Sequence, residues 1–256
     1  IMSSDWSSDV CSSDLPLRVW DFSETSQTAS LFCRSSGVLR GLAKGSKRPK
    51  GAFGGGIELL TAGEIVAIIK PAASLATLTE WDMQEVFWPA RRSLAGHRAG
   101  LYVLDVLHHA LTDADPHERL FDSALAALRG VHETDPARTG RALLAFQWAV
   151  LAETGYRPVL DEDARTGGGL DASASTYGFD AERGGVTADP GPGGGAWRLR
   201  AGTLAALRSA ADADDPGEPF PDADPDDADR ANRLLAAYLA HVLRRELPTA
   251  PLVFGS

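Results

Sequence analysis

Two hydrophobic periods divide this chain. Before about residue 80, apolar side chains recur at every second position in short runs, which is the mark of half-buried strands. Leu17 to Phe22, Ser26 to Cys33, Val38 to Ala43, Ile57 to Leu60, Glu64 to Ile69 and Leu75 to Thr79 read this way. Pro16, which cannot donate to a ladder, is expected to truncate the first run, and Thr61-Ala62-Gly63 to turn a hairpin between the fourth and fifth. Five or six short strands in about 65 residues predict a small barrel of the OB type.

From Trp81 onward the period becomes helical. Leu94, Leu101, Leu104, Leu107 and Leu111 mark one face, and Asp115-Pro116-His117-Glu118 predicts the start of a helix that carries Phe121, Leu125 and Leu128. Asp135-Pro136 starts another, with Leu143, Leu144, Phe146, Val150 and Leu151, closed by Gly155. Thr203 to Ala211 is a short helix. Asp224-Pro225 opens the last, with Leu234, Leu235, Tyr238, Leu239, Val242 and Leu243. Residues 156–200 form an irregular, Gly- and Asp-rich insert with a candidate strand at Thr176 to Phe179 and a loose loop at Gly191 to Gly195. Residues 211–229 carry nine acidic residues and no base, which predicts a linker. The expected architecture is α+β: an OB-fold barrel over residues 16–81, then an α-helical bundle over 82–256.

Charge sharpens the division. The 256 residues sum to a formal charge of −10, yet residues 16–81 carry eight Lys/Arg against five Asp/Glu, while residues 82–256 carry 17 against 27. Between Arg34 and Lys50 lie six bases, Arg34, Arg40, Lys44, Lys47, Arg48 and Lys50, and no carboxylate. A strand running out into a glycine-punctuated basic loop is how small barrels present charge to a phosphate backbone. These six are the candidate DNA contacts, a solvated surface loop being the alternative; Trp20, Phe22, Phe32 and Phe53 are candidates for base stacking.

Other classes are disfavoured. No apolar run approaches the roughly 20 residues that span a bilayer. Cys11 and Cys33 make no disulfide framework and no zinc ligand set, which fits a reducing compartment. The N-terminus lacks the basic and apolar regions of a signal peptide. Residues 5–15 resemble a translated sequencing adapter, so residues 1–15 are expected to be disordered and outside the fold. The chain has no phosphate-cradling Gly-x-x-x-x-Gly-Lys-Ser/Thr loop, Gly-x-Ser-x-Gly elbow or His-Glu-x-x-His helix. His97, His108, His109, His117, His132 and His241 are scattered, and adjacent His108 and His109 leave a helix on different faces, so no metal site is expected.

Phe22-Ser23-Glu24-Thr25-Ser26, the Leu31-Phe32 strand, Gly37, and Ala43-Lys44-Gly45 followed by Lys47-Arg48-Pro49-Lys50 resemble the N-terminal OB domain of RecO recombination mediators. Phe146 and Leu151, then Gly155-Tyr156-Arg157-Pro158-Val159-Leu160, and Gly184-Gly185 after Phe179 are similar to that family's entry into, and hairpin closing, a zinc region. The cysteine pairs of many relatives fall here on Asp161-Glu162-Asp163-Ala164 and Val186-Thr187-Ala188-Asp189, so the insert reads as a cysteine-free remnant, with the family zinc lost and the segment looser.

The resemblance implies a non-enzymatic, cytoplasmic, nucleoid-associated role in DNA repair and homologous recombination. It implies binding of single-stranded and duplex DNA, strand annealing, and partnership with RecR in loading RecA onto gaps coated by single-stranded DNA-binding protein. The acidic, apolar C-terminal tail of that protein needs an apolar pocket rimmed by cations. Arg91 and Arg92, or Arg244 and Arg245, are candidates for the rim. The competing readings are an OB-containing helical scaffold that binds protein or RNA, and an unrecognised hydrolase.

Overall fold

A computed structural model describes residues 7–10 (backbone only), 13–70, 73–191, 193, 196–213 and 224–255. The alternating third forms β1 (Ser7–Val10), β2 (Asp14–Asp21), β3 (Gln27–Cys33), β4 (Gly37–Ala43), β5 (Thr61–Ile69) and β6 (Ala76–Val86). β2, β3 and β4 are an antiparallel meander, β4 runs parallel to β6, and β6 is antiparallel to β5. β5 returns to β2 at Gly63 and Asp14, so five strands close into an OB-like barrel, and β1 extends the sheet along β5. Asp14 reinforces the closure by accepting the Ile65 N–H at 2.8 Å. Leu31, Ala43, Ile57, Ile65, Leu78 and Trp81 fill the interior.

Several expectations need correction here. Residues 7–10 pair along β5, and Asp14 and Leu15 are fully buried in β2, so these parts of the segment set aside as disordered belong to the barrel. Residues 1–6, 11 and 12, including Trp6 and Cys11, lie outside the described residues. Pro16 sits inside β2, where a bulge between Pro16 and Arg18 accommodates its missing donor. Ile57 to Leu60 is not a strand: the Gln27 side chain accepts the Ile57 N–H and donates to the Ile57 carbonyl, replacing a ladder, and Thr61-Ala62-Gly63 opens β5 instead of turning a hairpin. β6 continues past Trp81 to Val86 because β5 pairs with it along its whole length.

The helical period resolves into α1 (Trp88–Arg92), α2 (Leu94–Ala110), α3 (Glu118–Gly130), α4 (Pro136–Glu153), α5 (Ala201–Asp212), α6 (Pro225–Leu243) and α7 (Ala250–Phe254). Asp135 caps α4 by accepting the Arg138 N–H, and Asp224 caps α6 by accepting the Asp226 N–H. α3 starts later than its Asp-Pro signal, without an Asp115 cap. The turn there is tied to the barrel: Ala114 N donates to the Val38 carbonyl, and Gly37 (φ +73°) lies so close that a Cβ would sit 2.4 Å from the Asp115 backbone. Residues 225–229 of the acidic run are the first turn of α6, where Asp226 and Asp227 complement the helix dipole; residues 214–223 lie outside the described set.

Within the irregular insert, β7 (Thr176–Asp180), β8 (Gly185–Ala188) and β9 (Trp197–Arg200) form a small antiparallel sheet in the order β8-β7-β9. Of the Gly191 to Gly195 loop, residues 192, 194 and 195 lie outside the described set. One apolar cluster joins the barrel wall (Leu15, Leu17, Phe32, Val38) to Tyr102, Phe121, Phe146, Phe179 and Leu239 of the helical half. Phe32 meets Phe121 edge to face at 5.3 Å across that seam.

Candidate nucleic-acid interface

β4 runs directly into the basic loop. Gly45 takes φ +70°, a turn that a side chain would strain, and the loop is then pinned to the β2–β3 turn by three hydrogen bonds. Gly45 N donates to Ser26 Oγ at 3.1 Å, Lys47 N to the Thr25 carbonyl at 3.1 Å, and the fully buried Ser46 hydroxyl to Gln27 Oε1 at 3.0 Å. Ser46 is the inner anchor of a loop whose cations face water.

The six predicted bases divide into two groups. Lys44, Arg48 and Lys50 are exposed, with no carboxylate at ion-pairing distance among the described residues. Lys47 is half-buried and meets Asp21 at 2.5 Å. Arg34 forks onto Asp122 at 3.0 and 2.9 Å and reaches Glu118 at 2.9 Å; the bond to Asp122 is the main reason that its pKa is raised. Arg40 lies 3.3 Å from Asp113. Arg34 and Arg40 therefore join the barrel to the helical half, whereas the loop proper leaves three charges without a counter-ion among the described residues.

A further barrel cation, Arg18, bonds the buried carboxylate of Asp105 on α2, which also accepts the Thr249 hydroxyl at 2.7 Å and lies 3.6 Å from His109. Neighbouring His108 is held below its usual pKa, by burial first and then by Arg18.

The four candidate partner residues do not converge. Arg91 bonds Glu58, Arg92 lies 4.0 Å from Glu133, and both sit over the exposed Trp88 ring, at 5.9 and 5.2 Å. Arg244 ends α6 at φ +51° and, with Arg245, His109, Leu243, Glu246 and Pro248, lines an open cavity of about 650 Å³. A groove lined by both apolar side chains and arginines lies between β9 and α6, with a volume of about 430 Å³. Trp197, Leu199, Leu234 and Ala237 line it together with Arg198, Arg200, Arg230 and Arg233. Arg198, Arg230 and Arg233 pair with Asp189, Asp227 and Asp229, while Arg200 has no carboxylate at that distance among the described residues. Sequence reasoning missed it, although Arg198 and Arg200 alternate in β9 and residues 230, 233, 234 and 237 share one helix face.

The residues of the segment where the resemblance implies a zinc region do not fit zinc. Asp163 accepts the N–H groups of Arg165 (2.9 Å), Thr166 (3.0 Å) and Ala188 (2.8 Å), and the last of these does most to hold its carboxyl below the usual range. Asp189 accepts from Arg198 (3.1 and 2.7 Å), Thr176 Oγ1 (2.5 Å) and Gly191 N (2.9 Å), and the Arg198 bonds chiefly hold it far below that range. Asp161 pairs with Arg208 at 3.2 Å. Structural tetrahedral zinc sites are built from thiolate and imidazole ligands, which this segment lacks. Asp163 and Asp189 are already filled by local donors, and no group of three or more His, Cys, Asp or Glu placed to hold a metal occurs among the described residues. Nor is any helix among them long and apolar enough to cross a membrane.

Comparison with known proteins agrees with this arrangement. Residues 15–87 match the family model for the recombination protein O N terminal domain, and residues 94–251 that for its C terminal domain. The DNA repair protein RecO of Rhodopirellula baltica is 35% identical over 173 residues, 68% of this chain and 63% of that protein. That of Salinibacter ruber is 29% identical over 145 residues, 57% of this chain and 55% of that protein. An Anaeromyxobacter RecO is 27% identical over 238 residues, 91% of each chain. The matched stretch thus spans less than two thirds of the first two relatives and nearly all of the third. With both domain models matched in order, and the barrel and helical half each in the corresponding place, the chain belongs to the RecO family.

Proposed function

We propose that this protein is a non-enzymatic DNA repair and recombination mediator that holds the phosphate backbone on the loop at the end of β4. The carrying observation is that Lys44, Arg48 and Lys50 stand exposed beside Lys47, without counter-ions among the described residues, on a loop fastened from inside by Ser46. Unpaired cations on a fixed loop release condensed counter-ions when they meet phosphate, which makes binding steeply salt-dependent. Family membership supports the finer reading: single-stranded and duplex DNA as ligands, annealing of complementary strands, and cooperation with RecR in RecA loading, in the cytoplasm at the nucleoid.

For the acidic tail of single-stranded DNA-binding protein, the groove lined by Trp197, Leu199 and Leu234 together with Arg198, Arg200, Arg230 and Arg233 has the required chemistry. It replaces Arg91, Arg92, Arg244 and Arg245 as the preferred site. The hairpin region works without zinc, its cross-link supplied by Asp163 and Asp189.

The test is binding of labelled single-stranded DNA across a salt series, with the full chain against a variant carrying Lys44, Lys47, Arg48 and Lys50 all as Ala. The slope of log affinity against log salt is expected to fall by about three, at roughly 0.7 per lost phosphate contact. Binding indifferent to all four changes would return the loop to a solvated surface and favour a helical interaction scaffold.

A further inference from the structure

The four barrel aromatics proposed for stacking have different fates. Phe32 and Phe53 are core, 0% and 5% exposed, whereas Trp20 and Phe22 are 50% and 63% exposed at the end of β2. Trp20 is in register with Thr28 of β3 and Leu42 of β4, so these three side chains share the outer face of the barrel. Arg18, Ser30 and Arg40 form the next row of that face, and β4 continues from Leu42 into Lys44. Phe22 opens the turn that carries the basic loop: its N–H donates to the Ser26 carbonyl at 2.9 Å, and Thr25 and Ser26 hold Lys47 and Gly45. Asp21, the acid between the two rings, is neutralised by Lys47. Two exposed rings therefore adjoin the turn that holds the basic loop, whose Lys44, Arg48 and Lys50 have no carboxylate at ion-pairing distance among the described residues.

We infer that Trp20 and Phe22 are a base-stacking platform that makes the barrel select an unpaired DNA strand over a duplex, an inference that rests on the DNA-binding reading above. The cations meet phosphates, which both forms of DNA offer. The rings meet base faces, which only an unpaired strand offers without unstacking. In a duplex each base face is already covered by the next pair, about 3.4 Å away. Trp20 lies in β2 and Phe22 opens the turn just past its end, so the two exposed rings leave the chain from separate positions and each can receive its own base. Strands two and three of the barrel and the adjoining first loop are the usual nucleic-acid surface of this architecture, and β3, β4 and the β2–β3 turn hold those places.

The experiment compares the full chain, the Trp20→Ala/Phe22→Ala variant and the conservative Trp20→Phe/Phe22→Tyr variant on labelled oligothymidylate and on a duplex of equal length. The alanine pair is expected to weaken oligothymidylate binding roughly 30-fold and duplex binding less than about 2-fold, with the salt slope unchanged on both. The conservative pair is expected to retain the wild-type preference. Equal losses on both DNAs, or no loss on the single strand, would overturn the platform. If the unaltered chain bound neither DNA, the DNA-binding reading would fail, and the platform with it.

Discussion

The basic loop on the barrel and the hairpin region of the helical half are both rich in charge, but they use it in opposite ways. Around β7 and β8, Asp163 accepts three backbone N–H groups and Asp189 is filled by Arg198, Thr176 and Gly191. On the loop, Lys44, Arg48 and Lys50 have no carboxylate at hand among the described residues, and apart from the Lys47–Asp21 pair the loop is fastened by neutral groups. A charge saturated by its own fold is part of the scaffold. A charge left open on a fixed scaffold is available to a ligand.

That contrast can be broken first at the loop. Reversing Lys44, Arg48 and Lys50 to Glu is expected to lower single-stranded DNA affinity more than about 100-fold at low salt, read by fluorescence anisotropy, with the thermal midpoint unchanged. Asp163→Ala should do the reverse. It leaves three N–H groups without their acceptor and is expected to cost about 2 kcal/mol in urea unfolding, while the salt slope of DNA binding stays as it was.

Acid sharpens the same distinction. A carboxyl whose pKa falls on folding stabilises the fold at pH above its unfolded value, near 3.9, and that contribution is lost as pH drops towards the folded value. The Asp163, Asp180 and Asp189 carboxyls all lie on that side. The thermal midpoint is therefore expected to fall progressively below about pH 4, and Asp163→Asn to flatten that dependence. Arg34→Ala, which removes an exposed fork between barrel and α3, should lower the midpoint by only about 2 °C and leave the salt slope intact. A retained slope would assign Arg34 to the seam, whereas a reduced one would return it to the DNA path. Smallest of all, a zinc chelator is expected to move the midpoint by less than about 1 °C.

Much of this was legible in the sequence, because local signals acted alone there. Alternation revealed β3 and β4, and the Asp-Pro starts of α4 and α6 matched their caps. Where a distant group intervened, the local reading failed. Gln27 replaces the ladder expected at Ile57, and contact with Gly37 delays α3 beyond Asp115. Of the four aromatics read as stacking candidates, Trp20 and Phe22 are exposed, but Phe32 and Phe53 are core, because Phe32 faces the helical half and Phe53 folds into the barrel interior, packing partners that are distant in sequence. The groove under Arg200 was invisible because its walls come from segments about 30 residues apart, joined only by folding.

The seam between barrel and helices has one more consequence, for how the molecule comes apart. Leu15, Leu17, Phe32 and Val38 belong to the same apolar cluster as Phe121 and Leu128, and Asp105 ties Arg18 to Thr249 near the far end of the chain. Melting is therefore expected to be one cooperative event rather than two. A fragment cut after Val86 would expose an oily wall and lose the partners of Arg18, Arg34 and Arg40, so it would aggregate instead of reporting on the barrel in isolation.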